Sequence, residues 1–540
     1  KETDLFKMLQ SMVRPHACTE ASKLAAHELT ALVHTRRHIM PTYPPTFLIC
    51  SPQDLANLSS VDEATKSKIP NLLALRDAIY SPEFRDFVSS VTGCGTLSET
   101  TDCACNIHPI GGHLLTHDDV IGDRRVSYII YLTDPDDPWT ADDGGALELY
   151  PEDPNAPLQP YPIPSASALP VFNSMAMFKV EAGKSFHSIQ EVFTSEKPRM
   201  SLQGWFHGPL PEAETKALPT LAMLQTSMAE KDLGQFRAFD VGSSNSELVT
   251  GEAAPYVLSD EDVRYLTPWI NPLYLDGRGT AKLQKAFEED GSIHLLHVLS
   301  DAKAAAIKAA MLAVDAKDGV GEGRRPAYEV GMTEGWKLRG PAHMQRYLAF
   351  SRGGDDDNGE VAGTRPGGND AGHGALGVLL QDVYDNLIAS VPFANLIRTF
   401  TTLSMVGCQG EVRRFRPGLD YTVAHYGVLT TDPRLDVVLT FVNEDKMSSA
   451  SWADGECGGF EAYLLADDEE DGPAEVYRNV QDDDSGVLNV SACFNALSIV
   501  LRDEGLMRFV KYVSSTAPGS RWDVSAVMLP VDDDDESDDQ

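Results

Sequence analysis

The chain has 540 residues, which at roughly 100 to 200 residues per domain predicts two or three domains. No apolar run reaches the roughly 18 to 20 residues that a bilayer span needs, although 42% of the residues are hydrophobic. Asp and Glu number 81 against 44 Lys and Arg, and the net charge of −37 repels phosphate backbones and attracts basic polypeptides. The composition therefore favours a soluble globular protein and excludes a membrane protein and direct binding of nucleic acid.

The chain contains eight cysteines, and no two of them form a C-x-x-C motif. So few cysteines in a long chain are typical of a reducing compartment, and we expect the nucleus and cytoplasm. The sequence begins at Lys1 with neither an initiator methionine nor an apolar leader, so we expect the natural N-terminus to lie outside it.

The first 212 residues predict a helical layer followed by a β-barrel or sandwich. Glu20–Arg37 carries leucine and valine at near-helical spacing, and Ser81-Pro82-Glu83 starts a further helix that Gly93 ends. Short β-type runs separated by Asp, Gly and Pro clusters, which are typical of an antiparallel barrel or sandwich, follow at 126–132, 146–150, 174–180 and 201–207. We expect the first domain to end at residue 212 and the polar stretch 213–254 to be a linker.

A second domain, from 255 to 530, repeats this order of elements. Helices are predicted at 280–290, 300–317 and 376–406. Gly, Asp and Asn dominate residues 351–377, a composition that buries too little apolar surface to offset its ordering entropy, and we expect a disordered surface loop there. Residues 531–540 form an acidic tail that its own charge keeps extended.

The two halves of the chain resemble each other, which predicts a duplicated β domain. An alignment without gaps places Phe172-Asn173 on Phe494-Asn495 and Arg199 on Arg521. A Gly-Gly pair also precedes a β-type run in each half, at 144–145 and 458–459.

The segment around His117 and Asp119 carries the first candidate ligands. In an extended strand or at its bulged end, residues two apart leave the same face, so an imidazole and a carboxylate can reach one cation. Taken alone, the pair is better explained as a surface His-Asp pair. His187, 70 residues after His117 and between two predicted strands, would complete a 2-His-1-carboxylate triad for Fe(II).

Arg199 follows His187 by twelve residues, and Ser201 lies on the same strand face. The guanidinium can bind the far carboxylate of a dicarboxylate through paired hydrogen bonds and the hydroxyl can add one more, while a 2-oxo acid end chelates the metal. Cys103, Cys105, His108 and His113 raise the alternative of a zinc site, but their spacing is unlike a structural zinc motif, so buried thiols beside a polar loop are expected.

In these segments the sequence resembles the 2-oxoglutarate and Fe(II)-dependent oxygenases, specifically the prolyl 3-hydroxylases that modify a small-subunit ribosomal protein at the decoding centre. The resemblance is carried by residues 113–125, 128–132, 134–139, 144–145 and 187–205, and it covers most of the chain. It implies an α+β, mainly β, fold with two double-stranded β-helix domains (jelly-roll, cupin-like), each with flanking helices, of which the first is catalytic and the second lacks the metal site.

The same resemblance implies site roles and cofactors. Fe(II) would be bound by His117, Asp119 and His187, and 2-oxoglutarate by Arg199 and by Tyr131, with O2 as the oxidant and ascorbate in a supporting role. Fungal members have a tyrosine near the cosubstrate nine residues before the first ligand, where this chain has His108, which leaves the contacts on that side open.

The second half lacks two of the three predicted ligands. At the place of the His-x-Asp motif it has His425-Tyr426-Gly427, and Phe509 stands where the first half has His187. Arg521 persists opposite Arg199, and without a metal it is expected to form a structural ion pair. We therefore expect the second barrel to be a binding or scaffolding domain.

The leading hypothesis for function is a peptidyl-proline 3-hydroxylase whose substrate is a basic small-subunit ribosomal protein, with an effect on translation. Its main rival is an oxygen-responsive adaptor whose C-terminal domain binds a regulatory protein and whose N-terminal site has little catalytic role. A third hypothesis, a metal-binding cupin that does not use 2-oxoglutarate, leaves Arg199 without an explanation.

Overall fold

The computed structural model describes residues 67, 69–209, 236–239, 256–321, 323–333, 335–352, 371–424, 433–444, 452–465, 488–503 and 505–531. The chain divides into two compact units, Lys1–Leu218 with Pro341–His343, and Pro219–Gly340 with Met344–Gln540. This division falls inside the stretch predicted to be a linker. The helix predicted at Glu20–Arg37 and nearly all of the acidic tail lie outside the described residues.

In the part of the first unit that the structure describes, two helices precede the strands, α1 (Pro70–Ile79) and α2 (Pro82–Thr92). The sequence signals for α2 are confirmed: the Ser81 hydroxyl accepts a hydrogen bond from the Phe84 N–H, and Pro82 occupies the first turn. The helix ends where Gly93 adopts a φ of 64°, a conformation that glycine takes without steric cost. Within the described residues, no helix is long and apolar enough to cross a membrane.

Ten strands occur among the described residues of the first unit: β1 (Ala104–His108), β2 (Leu114–His117), β3 (Arg124–Tyr131), β4 (Leu147–Leu149), β5 (Glu152–Asp153), β6 (Ala156–Pro160), β7 (Ala166–Ala168), β8 (Met175–Lys179), β9 (His187–Ile189) and β10 (Arg199–His207). Eight of them make two four-stranded antiparallel sheets, in the orders β1-β10-β3-β8 and β2-β9-β4-β7, while β5 and β6 pair with each other. Two such sheets form the predicted double-stranded β-helix, also called a jelly roll.

Side-chain alternation decides which residues of the first sheet face the helices and which face the second sheet. Val126 and Tyr128 of β3 and Leu202 of β10 pack in one core with Leu72 and Val88 of the helices. Their neighbours on β3 point the other way, and Ile129 and Tyr131 pack with Leu147 of β4 in the second sheet. On β1, β3 and β10, the residues that alternate with this helix-facing core therefore face the interior of the barrel.

Within its described residues the second unit contains five α-helices, α3 (Asp260–Leu266), α4 (Thr280–Asp290), α5 (Asp301–Lys317), α6 (Ala371–Val383) and α7 (Val391–Thr401). Its strands are β11 (Arg237–Ala238), β12 (Ser292–Leu296), β13 (Trp336–Arg339), β14 (Gln345–Phe350), β15 (Met405–Phe415), β16 (Tyr421–Thr422), β17 (Arg434–Phe441), β18 (Glu461–Leu465), β19 (Leu488–Val490), β20 (Ala496–Arg502), β21 (Leu506–Val510) and β22 (Arg521–Pro530).

The strand order of the second unit supports the predicted duplication. A nine-stranded sheet contains the run β15-β22-β17-β20, which matches β1-β10-β3-β8 of the first unit, and a three-stranded sheet has the order β19-β18-β21. Asn173 and Asn495, aligned by sequence, adopt positive φ angles of 57° and 55° in the turns before β8 and β20. The matching sheets of the two units therefore have the same strand order, and β10 and β22, which begin at Arg199 and Arg521, occupy equivalent positions in them.

Two predictions for the second unit need correction. Residues 371–377 were assigned to the disordered loop, but they begin α6, whose Leu376, Leu380 and Val383 are fully buried. Gly377 is favoured by packing, because a Cβ there would lie 2.3 Å from the ring of Phe350. The helix predicted at 376–406 is interrupted by a π-helical turn, Tyr384–Ile388, and β15 begins at Met405.

Candidate active site

The structure brings His117, Asp119 and His187 together. His117 ends β2 and His187 begins β9, and the register of these strands pairs the two residues directly. The Nε2 atoms of both histidines lie 3.4 Å from carboxylate oxygens of Asp119. One nitrogen or oxygen atom from each residue falls within a group whose members are all within 4.8 Å of one another. This spacing allows one metal ion to be bound by all three.

Backbone contacts orient the two imidazoles. The Nδ1 of His117 donates to the Leu115 carbonyl at 2.7 Å, and the Nδ1 of His187 donates to the Ser185 carbonyl at 2.8 Å. Since a carbonyl only accepts, the proton of each neutral ring is held on Nδ1 and the lone pair of Nε2 faces the metal position. This is the tautomer that a metal ligand requires.

Asp119 is directed to the same point by an unusual backbone conformation. Its φ of 61° lies in the left-handed region, just beyond the end of β2, so the carboxylate turns toward the histidines instead of continuing the strand alternation. The Ser127 hydroxyl donates to its Oδ2 at 2.6 Å. The sequence indicated the His-x-Asp spacing, but it did not indicate Ser127 as the residue that fixes the carboxylate.

The electrostatics of these residues suit a divalent cation. Burial lowers the pKa of His187 to about 4, so the ring is neutral at physiological pH. Burial alone would raise the pKa of Asp119, but contacts with His117, His187 and Ser127 outweigh it and hold that pKa well below its usual value. Two neutral imidazole nitrogens and one carboxylate oxygen on one side of a site are the donor set of non-haem Fe(II) oxygenases.

A candidate anion-binding site lies on the inner face of the other sheet, β1-β10-β3-β8. Arg199 is fully buried, and its Nε donates to the Gly145 carbonyl at 2.7 Å. Its two terminal nitrogens make no hydrogen bond with any described residue, and the same is true of the Tyr131 and Ser201 hydroxyls. Ser201 pairs with Tyr131 in the β10–β3 register, so the three side chains share one face.

The buried polar groups without a hydrogen-bond partner indicate which kind of ligand this site can bind. Leaving a buried donor without a partner costs about 1–3 kcal/mol, and more for a charged group, so native proteins rarely do so without a ligand. A guanidinium whose paired donors have no partner among the described residues matches a carboxylate. A dicarboxylate with a 2-oxo acid end, such as 2-oxoglutarate, therefore fits the charge and chemistry of the residues present.

Gly145 is a further member of the site. It has a φ of 66°, and a Cβ on it would lie 2.9 Å from Cδ of Arg199. Glycine therefore leaves room for the guanidinium stem and supplies the carbonyl that holds Nε. In the sequence, this Gly-Gly pair was notable only because a similar pair precedes a β-type run in the other half.

The buried-thiol interpretation of Cys103 and Cys105 is confirmed. Both lie in the core beneath the helices, and burial raises the pKa of Cys105 well above its usual value. His108 follows at odd spacing on β1, so its side chain points to the opposite face of the sheet from Cys105. The zinc alternative is wrong because one ion cannot be reached from both faces.

The second unit fills the equivalent pocket with its own side chains. Arg521 is fully buried and contacts Glu461 at 3.1 Å and Asp523 at 2.9 Å, which confirms the predicted structural ion pair. Arg521 also donates to the Gly459 carbonyl, as Arg199 does to that of Gly145. Phe509 is buried on β21, the counterpart of β9, and His425 lies outside the described residues.

The jelly roll with its His-Asp-His group and anion pocket defines a 2-oxoglutarate and Fe(II)-dependent oxygenase. Residues 103–207 match the family model "2OG-Fe(II) oxygenase superfamily". Residues 261–536 match "Oxoglutarate and iron-dependent oxygenase degradation C-term". The predicted fold class and the dependence on Fe(II), 2-oxoglutarate and O2 are thereby confirmed.

Three curated relatives extend over both units. The chain is 37% identical to prolyl 3,4-dihydroxylase OGFOD1 of Ostreococcus tauri over 479 residues, 88% of this chain and 87% of that protein. It is 28% identical to prolyl 3-hydroxylase sudestada1 of Drosophila melanogaster, over 77% of this chain and 65% of that protein. The mouse prolyl 3-hydroxylase OGFOD1 is 27% identical, over 85% and 78%. The chain belongs to the OGFOD1 family.

Proposed function

We propose that this protein hydroxylates a prolyl residue at C3 in a small-subunit ribosomal protein, and that it acts in translation. His117, Asp119 and His187 bind Fe(II), while Arg199, Tyr131 and Ser201 hold 2-oxoglutarate. The proposal is carried by one observation: a His-Asp-His group stands in the same barrel as a buried arginine whose terminal nitrogens have no partner among the described residues. The family's prolyl hydroxylases supply the choice of proline.

The metal, when bound, supplies the activation of O2 coupled to oxidation of 2-oxoglutarate. The residues of the chain orient the metal ligands and bind the cosubstrate. Leu115 and Ser185 fix the imidazole tautomers, and Ser127 fixes the Asp119 carboxylate. Arg199 is fully buried, so it neutralises the far carboxylate of the cosubstrate away from bulk water, where a charge pair is stronger than at the surface.

The acidity of the chain supports a basic substrate. With a net charge of −37, long-range attraction raises the encounter rate with Lys- and Arg-rich segments, which are typical of ribosomal proteins. None of the cysteines that the structure describes forms a disulfide, which agrees with the nuclear and cytoplasmic location that we also propose.

Mass spectrometry tests the proposal directly. The full chain is incubated with the isolated small-subunit ribosomal proteins, Fe(II), 2-oxoglutarate and ascorbate in air, and tryptic peptides are sequenced. We expect one peptide to gain the mass of one oxygen atom on a proline, and a second oxygen would indicate dihydroxylation. Acid hydrolysis and comparison with 3- and 4-hydroxyproline standards assigns the carbon.

The matched control is His187→Ala, which should leave the peptide unmodified. If the wild-type chain consumes 2-oxoglutarate but modifies no proline in the ribosomal fraction, the proposed substrate is wrong although the oxygenase class stands. Hydroxylation of a non-prolyl residue would overturn the choice of proline.

A further inference from the structure

Gln203 of β10 carries a buried hydrogen-bond acceptor that no step described so far uses. Its side-chain oxygen, Oε1, is buried and makes no hydrogen bond with any residue that the structure describes. Burying an acceptor without a partner is costly, and native proteins rarely do so without a ligand. We therefore expect Oε1 to meet a donor that binds in the barrel.

Strand alternation places Gln203 on the inner face of its sheet. Leu202 and Phe206 of the same strand belong to the core under the helices. Because neighbouring side chains of a strand leave opposite faces, Gln203 points into the barrel, as Arg199 and Ser201 do.

The register with β3 locates Gln203 more closely. Its direct partner is Ile129, which lies between Tyr131 and Ser127 on the inner face of β3. Tyr131 belongs to the proposed cosubstrate site, and Ser127 donates to the carboxylate of Asp119. Gln203 therefore lies between the cosubstrate site and the metal ligands.

Strand pairing in the second unit identifies the residue that replaces His187. In the first unit the fourth residue after the Gly-Gly pair, Leu149, is the partner of His187. In the second unit the fourth residue after the corresponding pair, Tyr463, is the partner of Arg508. The structural counterpart of His187 is therefore Arg508, one position before Phe509, where the alignment without gaps had placed it.

The second unit also shows what the side chain at the position of Gln203 can reach. Its counterpart is Ser525, since each lies four residues after the first residue of its strand. The hydroxyl of Ser525 accepts a hydrogen bond from Arg508 at 3.0 Å. A side chain at this position thus reaches the place of His187, and the second barrel satisfies its acceptor with a side chain of its own. In the first barrel that donor has to come from what binds at the metal.

The chemistry of the groups that meet at the metal limits the choice of donor. Both carboxylates of 2-oxoglutarate are ionised, so the cosubstrate only accepts hydrogen bonds. An unmodified prolyl residue has neither an N–H nor an O–H group. The hydroxyl group that the reaction adds to proline is a donor. Oε1 of Gln203 is therefore complementary to the hydroxylated residue and not to the prolyl substrate.

We propose that Gln203 accepts a hydrogen bond from the new hydroxyl group of a 3-hydroxyprolyl residue, so that the site binds its product more tightly than its substrate. A retained product leaves slowly and competes with the next substrate molecule. The proposal rests on the proposed prolyl hydroxylation.

Calorimetry on the full chain tests this without turnover. The protein is loaded with Mn(II) and 2-oxoglutarate in the absence of O2. Two synthetic peptides are titrated, both with the sequence of the ribosomal peptide that gains oxygen in the mass-spectrometry experiment, one with proline and one with 3-hydroxyproline at the target position. The measured quantity is the ratio of the two dissociation constants within each protein, so a general loss of peptide binding cancels.

Three variants are compared with the wild type. Gln203→Met has similar length and no amide oxygen, whereas Gln203→Glu keeps an acceptor at the same distance along the side chain. The matched control is Gln345→Met, which makes the same exchange in the second unit, where the Gln345 amide donates to the Gly340 carbonyl.

We expect the wild type to bind the 3-hydroxyprolyl peptide about 2- to 12-fold more tightly than the prolyl peptide, the range for one neutral hydrogen bond. Gln203→Met should lose this preference, because the hydroxyl group would be buried without an acceptor. Gln203→Glu and Gln345→Met should keep it.

Equal binding of the two peptides by the wild type would overturn the proposal and would indicate another donor for Gln203. An unchanged ratio in Gln203→Met, or a lost preference in Gln345→Met, would also overturn it. If the wild type binds neither peptide, the proposed prolyl hydroxylation fails, and this proposal fails with it. Should the Met variant not fold, Gln203→Leu removes the same acceptor.

Discussion

Arg199 and Arg521 occupy matching places in the two barrels but should respond oppositely to the same substitution. Both are fully buried, and both donate to the carbonyl of a glycine before the strand of the facing sheet. The terminal nitrogens of Arg199 have no partner among the described residues, whereas those of Arg521 contact Glu461 and Asp523. The substitution Arg→Gln removes a buried positive charge at each of these two equivalent positions.

The contacts set the expected magnitudes. Arg199→Gln removes paired donors to a ligand carboxylate, and one charge-assisted contact of about 1.5–3 kcal/mol corresponds to roughly 10- to 150-fold in affinity. Without ligand, it removes an unpaired buried cation and should not lower stability. Arg521→Gln removes a cationic partner from two buried carboxylates. Removing one member of a buried ion pair lowers the free energy of unfolding by about 3–5 kcal/mol.

Two measurements on the full chain at neutral pH separate these effects: calorimetric binding of 2-oxoglutarate to the Mn(II)-loaded protein, and urea unfolding without ligand. Arg199→Gln should lose affinity and keep its unfolding midpoint, and Arg199→Lys should recover only part of the affinity because an ammonium lacks paired donors. Arg521→Gln should keep affinity and lose stability. Loss of affinity in Arg521→Gln, or equal destabilisation by both substitutions, would refute the reasoning.

Three further predictions follow from the described contacts. Alanine substitution of any one of His117, Asp119 and His187 should abolish metal binding, which is measured as iron content after anaerobic loading. Leu147→Glu should abolish 2-oxoglutarate binding in calorimetry while the fold persists, because Leu147 lies two residues after Gly145, as Glu461 lies two after Gly459, and would supply Arg199 with an internal carboxylate. Burial alone would raise the pKa of Glu461, but Arg508, Arg521 and Arg413 lower it from 4.5 to about 2. Its stabilisation of about 3 kcal/mol is thus present above pH 4.5 and lost as the pH falls toward 2, so Glu461→Gln should flatten the acid limb of the unfolding curve.

A different outcome would contradict each of these three predictions. A variant of one ligand residue that retains a full equivalent of iron removes that residue from the metal site. Unchanged affinity in Leu147→Glu would mean that a carboxylate from β4 does not reach Arg199. An acid limb as steep in Glu461→Gln as in wild type would assign the acid sensitivity to another carboxylate.

Local sequence signals were sufficient where one segment determines the structure. Ser81 and Gly93 bound α2 as predicted, since caps act within one helical turn. The strand runs near 126–132 and 201–207 correspond to β3 and β10, because alternation along a strand is readable from its own residues. Composition was misleading for α6, where the packing of Leu376, Leu380 and Val383 outweighs a glycine-rich start.

The sequence could not show the part of the site that depends on strand pairing. His108 is separated from Arg199 by 91 positions, and only the β1–β10 register makes them partners. The missing metal ligands of the second half predicted a structural ion pair for Arg521, but the sequence did not indicate which carboxylates are its partners. The distinction lies on β18, where Glu461 supplies the carboxylate that the first barrel must take from a ligand. One inner face can therefore form either a cosubstrate pocket or a structural ion-pair network, according to whether the protein provides its own anion.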